Sequence, residues 1–287
     1  MLLEIDRVQL AVPEMSSVVG RWQALLNAEI DTVDKVSCLG ASRTRLRLGT
    51  GFIEVLEPDG AGILSDAVAN RGPHLFAAGA SCLDVPGLEQ QLAIHTNNLT
   101  IENNQLFIDG EDIGINGLRV VVSPHEERAA IGDIDFFYEA TLLAGDSAKE
   151  TAKFADVFQL DSQEFVVIES EKFGYDGTLT LFRRDLLHRF EVITPLDPAN
   201  TIGRFFNKVG PCLYMAFAES SDMVAIEQRA LERGDGLTVD RPENRASDKT
   251  VDQLWLHPAA LGGMMLGLSR PTTAWQWSGH PERVEQI

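Results

Sequence analysis

The chain has 287 residues, of which 44% are hydrophobic and 23% are charged, so its composition is that of an ordinary globular protein. Its formal net charge of -19 disfavours binding to phosphate backbones and to anionic lipid surfaces, and we predict neither a nucleic-acid partner nor a membrane partner. The three cysteines are scattered and lack the spacing of a metal site, so we expect neither a disulfide framework nor a structural zinc site.

The first residues lead directly into a segment typical of a β-strand. They contain no basic stretch followed by an apolar one, so we expect no signal peptide. No apolar run approaches the roughly 20 residues that cross a bilayer. We therefore expect a cytoplasmic protein.

The first predicted module covers residues 1–60. Ile5–Val12 has the pattern of a strand, and Ser16 or Ser17 is a candidate N-cap for the helix that follows. Glu54–Pro58 is predicted to be the closing strand, because proline cannot continue a central strand. The apolar stripe of the helix consists of Val18, Trp22, Leu25 and Leu26.

The same order of elements recurs three more times along the chain. The second module is predicted at 70–126, the third at 131–197 and the fourth at 208–272. The first positions of the four closing segments are separated by 66, 71 and 76 residues, which indicates an internal repeat. Those closing segments are Glu54–Pro58, Val120–Pro124, Glu191–Pro195 and Gly267–Pro271.

The opening strands are aligned on four positions that precede the closing segments by similar intervals. Arg7, His74, Phe136 and Tyr214 lie 47, 46, 55 and 53 residues before the four closing positions. We predict that these residues occupy equivalent places in the four modules. Their side chains would then point into two shared hollows.

These patterns predict an α+β fold. Four βαβββ modules pair into two cupped mixed β-sheets with the helices outside. The predicted domains are 1–126 and 131–272, separated near 125–132, where the apolar pattern is interrupted. A tail at 273–287 follows, and we expect its Trp275 and Trp277 to pack on the body of the protein.

Several segments resemble the vicinal-oxygen-chelate superfamily, which includes glyoxalases, bleomycin-resistance proteins and extradiol dioxygenases. Ile5–Pro13 is similar to the opening strand of that family, and Ile53–Pro58 is similar to its closing strand. Leu256–Leu268 is similar to the closing hairpin of methylmalonyl-CoA epimerases. The resemblance covers all four modules and therefore nearly the whole chain.

The resemblance implies a metal-binding cup in each pair of modules. In that family a divalent metal polarises oxygen atoms of the substrate, and its ligands come from the opening strand and from the glutamate of the closing strand. By this alignment, neither pair of modules keeps a complete ligand set. The positions carried over are Arg7, Glu54, His74 and Val120 in the first pair, and Phe136, Glu191, Tyr214 and Gly267 in the second.

The candidate catalytic residues are Glu54, His74, Glu191 and Tyr214, and the candidate substrate-binding residues are Arg7, Gln9 and Phe136. We expect a raised pKa for the Glu191 carboxyl among aromatic neighbours, with Tyr214 as its acid–base partner. We assign no metal site and no cofactor. If Zn, Ni, Mn or Fe does bind, the available ligands are His74 and Glu54.

Two functions remain open from the sequence. The first is a lyase or isomerase of the glyoxalase type, which moves a proton next to a carbonyl of a small molecule; dioxygenase chemistry is less favoured. The second is a non-catalytic small-molecule binding protein of the bleomycin-resistance type. The modules could also pair across two chains, so a homodimer stays open.

Overall fold

The computed structural model describes residues 2–246 and 249–286. The elements alternate as the repeat predicts, with four strands and one long helix in each module. The first module contains β1 (Leu2–Ala11), α1 (Met15–Leu26), β2 (Glu29–Val36), β3 (Ala41–Leu48) and β4 (Gly51–Pro58), and α2 (Ile63–Arg71) follows it. The second contains β5 (His74–Cys82), α3 (Val85–Leu92), β6 (Thr100–Glu102), β7 (Gln105–Asp109), α4 (Gly110–Ile113) and β8 (Arg119–Pro124).

The third and fourth modules repeat this order. The third contains β9 (Phe136–Leu143), α5 (Ser147–Phe158), β10 (Val166–Ser170), β11 (Tyr175–Leu181) and β12 (Arg189–Pro195), and α6 (Thr201–Val209) follows it. The fourth contains β13 (Cys212–Glu219), α7 (Met223–Arg233), β14 (Leu237–Asp240), β15 (Gln253–Leu256), α8 (Pro258–Leu261) and β16 (Met265–Ser269). Short 3-10 turns lie at Ser37–Leu39, Ser162–Glu164, Thr273–Gln276 and Pro281–Arg283.

The strands form two curled, mixed eight-stranded sheets with helices outside, and the predicted α+β fold is confirmed. One sheet has the order β2-β3-β4-β1-β5-β8-β7-β6, and the other has the order β10-β11-β12-β9-β13-β16-β15-β14. Within each module the opening and closing strands are parallel neighbours. The other strand pairs within a module are antiparallel.

The density of contacts divides the chain into two compact units. The first unit consists of Met1–Ile5, Ala77–Glu126 and Glu139–Tyr214, and the second consists of Asp6–Phe76, Glu127–Tyr138 and Met215–Ile287. Among the described residues, no helix has both the length and the apolar character needed to cross a membrane. The domain boundaries given above stay a prediction.

The long helices begin at acidic residues that follow the opening strands. The Glu14 side chain accepts hydrogen bonds from the backbone N–H groups of Ser16 and Ser17, so Glu14 is the N-cap of α1. The prediction that Ser16 or Ser17 caps this helix is wrong, because both serines lie inside its first turn. Asp84 and Asp146 cap α3 and α5 in the same way.

In the core of the third module, helix α5 packs on one face of the sheet. Phe154 of α5 packs on Phe190 of β12, with 4.9 Å between the ring centroids, and both residues are buried. Because successive side chains of a strand point to opposite faces, Glu191 points away from α5. The sheet therefore presents Glu191 on the face that the helix does not cover.

Candidate functional site

The register of the parallel strand pairs shows which opening-strand residues are equivalent in the four modules. Each closing position has one direct neighbour on the opening strand, and paired residues lie side by side on one face of a sheet. The pairs are Glu54 with Gln9, Val120 with Ala78, Glu191 with Thr141, and Gly267 with Phe217.

This register corrects the alignment of the opening strands. Arg7 lies two residues before Gln9, so its equivalents are the residues two before Ala78, Thr141 and Phe217. The prediction that His74, Phe136 and Tyr214 are equivalent to Arg7 is wrong. His74 lies two positions, Phe136 three positions and Tyr214 one position before the residue that is equivalent to Arg7. The positions equivalent to Arg7 are Phe76, Glu139 and Met215.

In the second unit, Arg7, Gln9 and Glu54 form one buried cluster, and none of them is more than 2% exposed. Arg7 donates to Glu54 at 3.2 Å, and Gln9 donates to the other Glu54 oxygen at 2.7 Å. Arg43 also donates to Glu54 at 3.2 Å, and Asp6 receives a bidentate pair from Arg7 at 2.9 and 2.6 Å. Burial lowers the pKa of the Arg7 guanidinium, but Asp6 and Glu54 outweigh it and raise that pKa above its ordinary value.

His74 and Phe136 also belong to the second unit, but the structure gives them other contacts. The His74 ring nitrogen Nδ1 lies 2.7 Å from the carbonyl oxygen of Gly72, and the ring packs edge-on against Phe76. Phe136 packs edge-on against Tyr138, with 6.4 Å between the ring centroids. Tyr138 in turn stacks with Phe217 at 6.0 Å.

In the first unit, Glu139 and Glu191 form a buried carboxyl pair. Each carboxyl group lies close enough to shift the pKa of the other, and the two residues are 2% and 6% exposed. Arg189 donates to Glu139 at 2.7 Å and also to the carbonyl oxygen of Leu187 at 2.8 Å. The Thr141 hydroxyl donates to Glu191 at 2.6 Å. One guanidinium therefore faces two carboxyl groups.

This imbalance of charge keeps a proton on the carboxyl pair. Burial, followed by the charge of Glu139, raises the pKa of Glu191 to about 8. Burial also raises the pKa of Glu139. Arg189 contacts Glu139 directly and opposes this rise. Glu191, with a pKa of about 8, holds its proton at neutral pH.

The tyrosine that reaches Glu191 is Tyr175. Its hydroxyl lies 3.5 Å from the Glu191 carboxylate, and burial followed by the charge of Glu191 raises its pKa, so the phenol is neutral. Tyr214, the partner predicted from the sequence, instead packs on the ring of Phe205 at 5.3 Å between centroids. The raised pKa expected for Glu191 is present, but its causes are burial and Glu139.

Comparisons with known proteins identify the fold. No protein-family model and no curated protein sequence matches the chain. A triple mutant of 4-hydroxymandelate synthase from Streptomyces coelicolor matches 99% of this chain and 100% of its own, with a TM-score of 0.69 and 13% identity. A xylose isomerase-like TIM barrel/4-hydroxyphenylpyruvate dioxygenase fusion protein matches 94% of this chain and 49% of its own, with a TM-score of 0.64 and 10% identity.

The chain has the vicinal-oxygen-chelate fold.

The ligand positions of the vicinal-oxygen-chelate fold do not suit a metal in this chain. At the position of the first module, both Glu54 oxygens accept hydrogen bonds from Arg7, Arg43 and Gln9. In the fourth module the two positions are Met215 and Gly267, and the Phe217 ring fills the space where a Gly267 side chain would begin. Among the described residues, no group of three or more histidine, cysteine, aspartate or glutamate side chains could hold a metal ion.

Sequence reasoning proposed Glu191 as a candidate residue but missed its neighbours Glu139, Thr141, Arg189 and Tyr175. One signal could have found Glu139. Glu139 lies seven residues before the helix N-cap Asp146, just as Arg7 lies seven residues before Glu14. An alignment of the opening strands on the N-cap of the helix that follows each one would have been more accurate than the alignment on their apolar residues.

Proposed function

We propose that the protein catalyses proton transfer in a small carbonyl compound, as an isomerase or lyase, with Glu191 as its acid–base residue. The observation that carries this proposal is the buried Glu139–Glu191 pair, in which two carboxyl groups share one guanidinium. A carboxyl group with a pKa near the working pH is well suited to take up and return a proton.

The ionised form of Glu191 begins the proposed reaction. Its carboxylate takes a proton from a carbon atom beside the substrate carbonyl, and the electrons of that carbon–hydrogen bond move to the carbonyl oxygen as an enolate. The neutral Tyr175 hydroxyl is positioned to donate a hydrogen bond to that oxygen. Glu191 then returns the proton to the oxygen or to a neighbouring carbon, which restores the carboxylate and completes an isomerisation.

Glu139 and Arg189 act on Glu191 in this scheme and do not touch the substrate. The Glu139 charge makes the Glu191 carboxylate a stronger base by raising its pKa. Arg189 holds Glu139 in place at 2.7 Å. We do not extend the proposal to dioxygenase chemistry, because the positions equivalent to metal ligands in the last two modules are Glu139, Met215, Glu191 and Gly267.

Deuterium exchange tests this proposal without knowledge of the product. A panel of aldehydes, ketones and 2-keto acids is incubated with the protein in D2O, and loss of the proton beside the carbonyl is followed by NMR. We expect exchange in at least one compound class and a loss of at least about a hundredfold in Glu191→Gln, the range in which a general base contributes. The matched control is Glu150→Gln, because Glu150 is a buried glutamate on α5 of the same unit with a pKa raised by burial. Equal exchange by wild type and Glu191→Gln would contradict the proposal.

A second function, binding without catalysis, is favoured by the aromatic side chains beside Glu191. Tyr175, Phe205, Phe206 and Tyr214 are partly buried and pack on one cluster of the first unit. A binding protein would retain its ligand in Glu191→Gln and would exchange no proton in either form. The same NMR samples distinguish the two functions, since ligand line broadening reports binding.

A further inference from the structure

An aromatic rim lies beside the carboxyl pair of the first unit, and we define it as Tyr175, Phe205, Phe206 and Tyr214. These four rings pack against a buried floor and are themselves only partly buried. The Phe205 and Tyr214 rings meet at 5.3 Å with an interplanar angle of 58°. The floor consists of Leu143, Ile193 and Ile202.

The rim and the carboxyl pair lie on one face of the sheet. Ile193 is two residues beyond Glu191 on β12, and Leu143 is two residues beyond Thr141 on β9. Residues two apart on a strand point to the same side, so the floor of the rim continues from the carboxyl pair. Tyr175 links the two directly, because its ring belongs to the rim and its hydroxyl lies 3.5 Å from Glu191.

Helix α6 supplies half of the rim and turns its charges away from it. Ile202, Phe205 and Phe206 form the side of α6 that packs on the floor. The polar side chains Arg204, Asn207 and Lys208 of the same helix are exposed. This arrangement is that of an amphipathic helix with its apolar stripe on the floor of the rim.

The site beside the rim sets two carboxyl groups against one guanidinium. Arg189 contacts Glu139 directly, and Glu191 retains its proton near pH 7. Burial raises the pKa values of both Tyr175 and Tyr214, so neither phenol carries a charge. Arg189 is fully buried, and its guanidinium donates to Glu139 and to the carbonyl oxygen of Leu187. A buried charge without a partner is strongly disfavoured.

We propose that the aromatic rim binds a neutral aromatic ketone or aldehyde, whose ring packs against the rings of Phe205 and Tyr214 while its carbonyl group faces Glu191. The rim matches the ring, and the neutral floor disfavours a carboxylate of the same size. This inference rests on the proposed function only for the orientation of the carbonyl group.

Binding of three probe compounds tests the inference. Acetophenone is the neutral aromatic ketone, benzoate is its anionic counterpart of similar size, and cyclohexyl methyl ketone has a carbonyl but no aromatic ring. Affinity is measured at pH 7 by titration calorimetry and by ligand-observed NMR. We expect acetophenone to bind at least about tenfold more tightly than either of the others, the effect of one aromatic contact or one unpaired charge.

A variant of the rim tests whether acetophenone binds at this site or elsewhere on the surface. Phe205→Leu removes the ring but retains an apolar side chain that α6 needs for packing, and we expect acetophenone binding to weaken roughly tenfold. The matched control is Phe173→Leu, because Phe173 is a phenylalanine of the same unit that is 41% exposed and outside the rim. The control should bind acetophenone as the wild type does.

Three results would overturn the inference: benzoate binding as tightly as acetophenone, cyclohexyl methyl ketone binding as tightly as acetophenone, or Phe205→Leu binding unchanged. The outcome is separable from that of the proposed function. Selective binding of acetophenone without proton exchange in any compound supports the rim and contradicts catalysis. Exchange confined to non-aromatic carbonyl compounds supports catalysis and contradicts the rim.

Discussion

Two of the four modules bury a glutamate at the same position of the closing strand, and the surroundings of the two glutamates differ. In the first module, Glu54 is fully buried and is surrounded by Arg7, Arg43 and Gln9. In the third module, the Arg189 guanidinium donates to Glu139, and Glu191 keeps a proton. The same position of one repeated unit is therefore a structural ion pair in one module and a titrating group in another.

Replacement of Glu54 should be strongly destabilising. Glu54→Gln leaves the buried Arg7 and Arg43 with one carboxylate fewer, and loss of one partner from a buried ion pair typically costs about 3–5 kcal/mol. Urea unfolding at pH 7 measures the loss. The control is Lys35→Met, which removes the ion pair of Lys35 with Asp59 at side chains that are 68% and 42% exposed, and should cost about 1 kcal/mol or less. Equal losses in the two variants would show that the Glu54 cluster is not a structural ion pair.

The raised pKa of Glu191 predicts a definite dependence of stability on pH. In the unfolded chain a glutamate releases its proton near pH 4.3, whereas folded Glu191 holds it up to about pH 8. The native state thus binds more protons than the unfolded state in this window, and the free energy of unfolding falls as pH rises, by up to about 1.4 kcal/mol per unit for this one group.

Urea titrations at pH 6 and pH 8 test this dependence. The wild type should be less stable at pH 8, and Glu191→Gln should lose a large part of the difference. Glu219, whose pKa is raised to about 7 mainly by burial, contributes in the same direction and retains its share in the variant. A wild type that gains stability from pH 6 to pH 8 would contradict the raised pKa.

Sequence reasoning at this scale succeeded where the chemistry is local. An apolar setting was enough to predict a raised pKa for Glu191, because desolvation is the first cause of that shift. The hydrogen-bond partners Tyr175 and Arg189 could not be predicted, since they reach the site through strand pairing. Arg189 is two residues from Glu191 and yet acts mainly through Glu139 on the neighbouring strand.

At the scale of the elements, closing strands were easier to place than opening strands. Prolines mark the ends of β4, β8 and β12, so the closing positions could be counted reliably. Opening strand β5 is buried at all nine positions, which leaves no alternation of apolar and polar residues to set its register. The alignment of His74 with Arg7 was wrong for this reason.

The N-cap residue Asn200 holds the start of helix α6 through two side-chain contacts. The Asn200 side chain accepts a hydrogen bond from the Gly203 N–H at 2.6 Å, and its amide donates to the carbonyl oxygen of Gly174 at 3.1 Å. Asn200→Ala removes both contacts and should destabilise the helix by about 1 kcal/mol or more. We expect faster hydrogen–deuterium exchange across Thr201–Val209.

The comparison variant for this prediction is Asp84→Ala. Asp84 caps α3 through the Gly87 N–H at 3.0 Å, so the variant loses a similar contact in another element of the same unit. Its exchange should increase in Val85–Leu92 and stay unchanged in α6. Protection of α6 that is equal in Asn200→Ala and wild type would show that packing of its apolar stripe alone defines the helix.

At the scale of the whole molecule, the fourfold repeat was visible in the sequence, and the fold predicted from it was correct. Segments that recur every 66 to 76 residues predicted four modules, and sixteen strands in two eight-stranded sheets follow in the described part of the chain. Pairing of strands within each module could be predicted because the unit is local. The division of contacts into two units that each combine parts of different modules had no signal in the sequence.

The C-terminal tail should contribute to stability as part of the second unit. Trp275 is 9% exposed, and the Arg270 guanidinium donates to the carbonyl oxygen of Glu285 at 3.0 Å. Deletion of residues 273–287 removes this burial and should lower the free energy of unfolding by at least about 3 kcal/mol, the usual effect of losing a buried tryptophan. Urea unfolding checks the value. Trp277→Ala, at the partly exposed neighbour, should have a smaller effect.

Some expectations for the whole molecule stay predictions. The net charge of -19 still predicts that the protein will not bind DNA or RNA at physiological salt. Gel-shift assays at 0.05 M and 0.15 M salt would test this. A cytoplasmic location and a homodimer rest on the sequence alone.

The proton held by the carboxyl pair gives the site an unusual susceptibility to covalent labelling. Diazo compounds esterify protonated carboxylic acids and leave carboxylates largely untouched. Burial raises the pKa of Glu191 to about 8 and that of Glu219 to about 7, so Glu191 is still protonated at pH 7 and Glu219 partly so. A phenyl-substituted diazo reagent should therefore attach chiefly to the peptide that contains Glu191. Mass spectrometry of the labelled peptides would then identify the carboxyl group that is protonated.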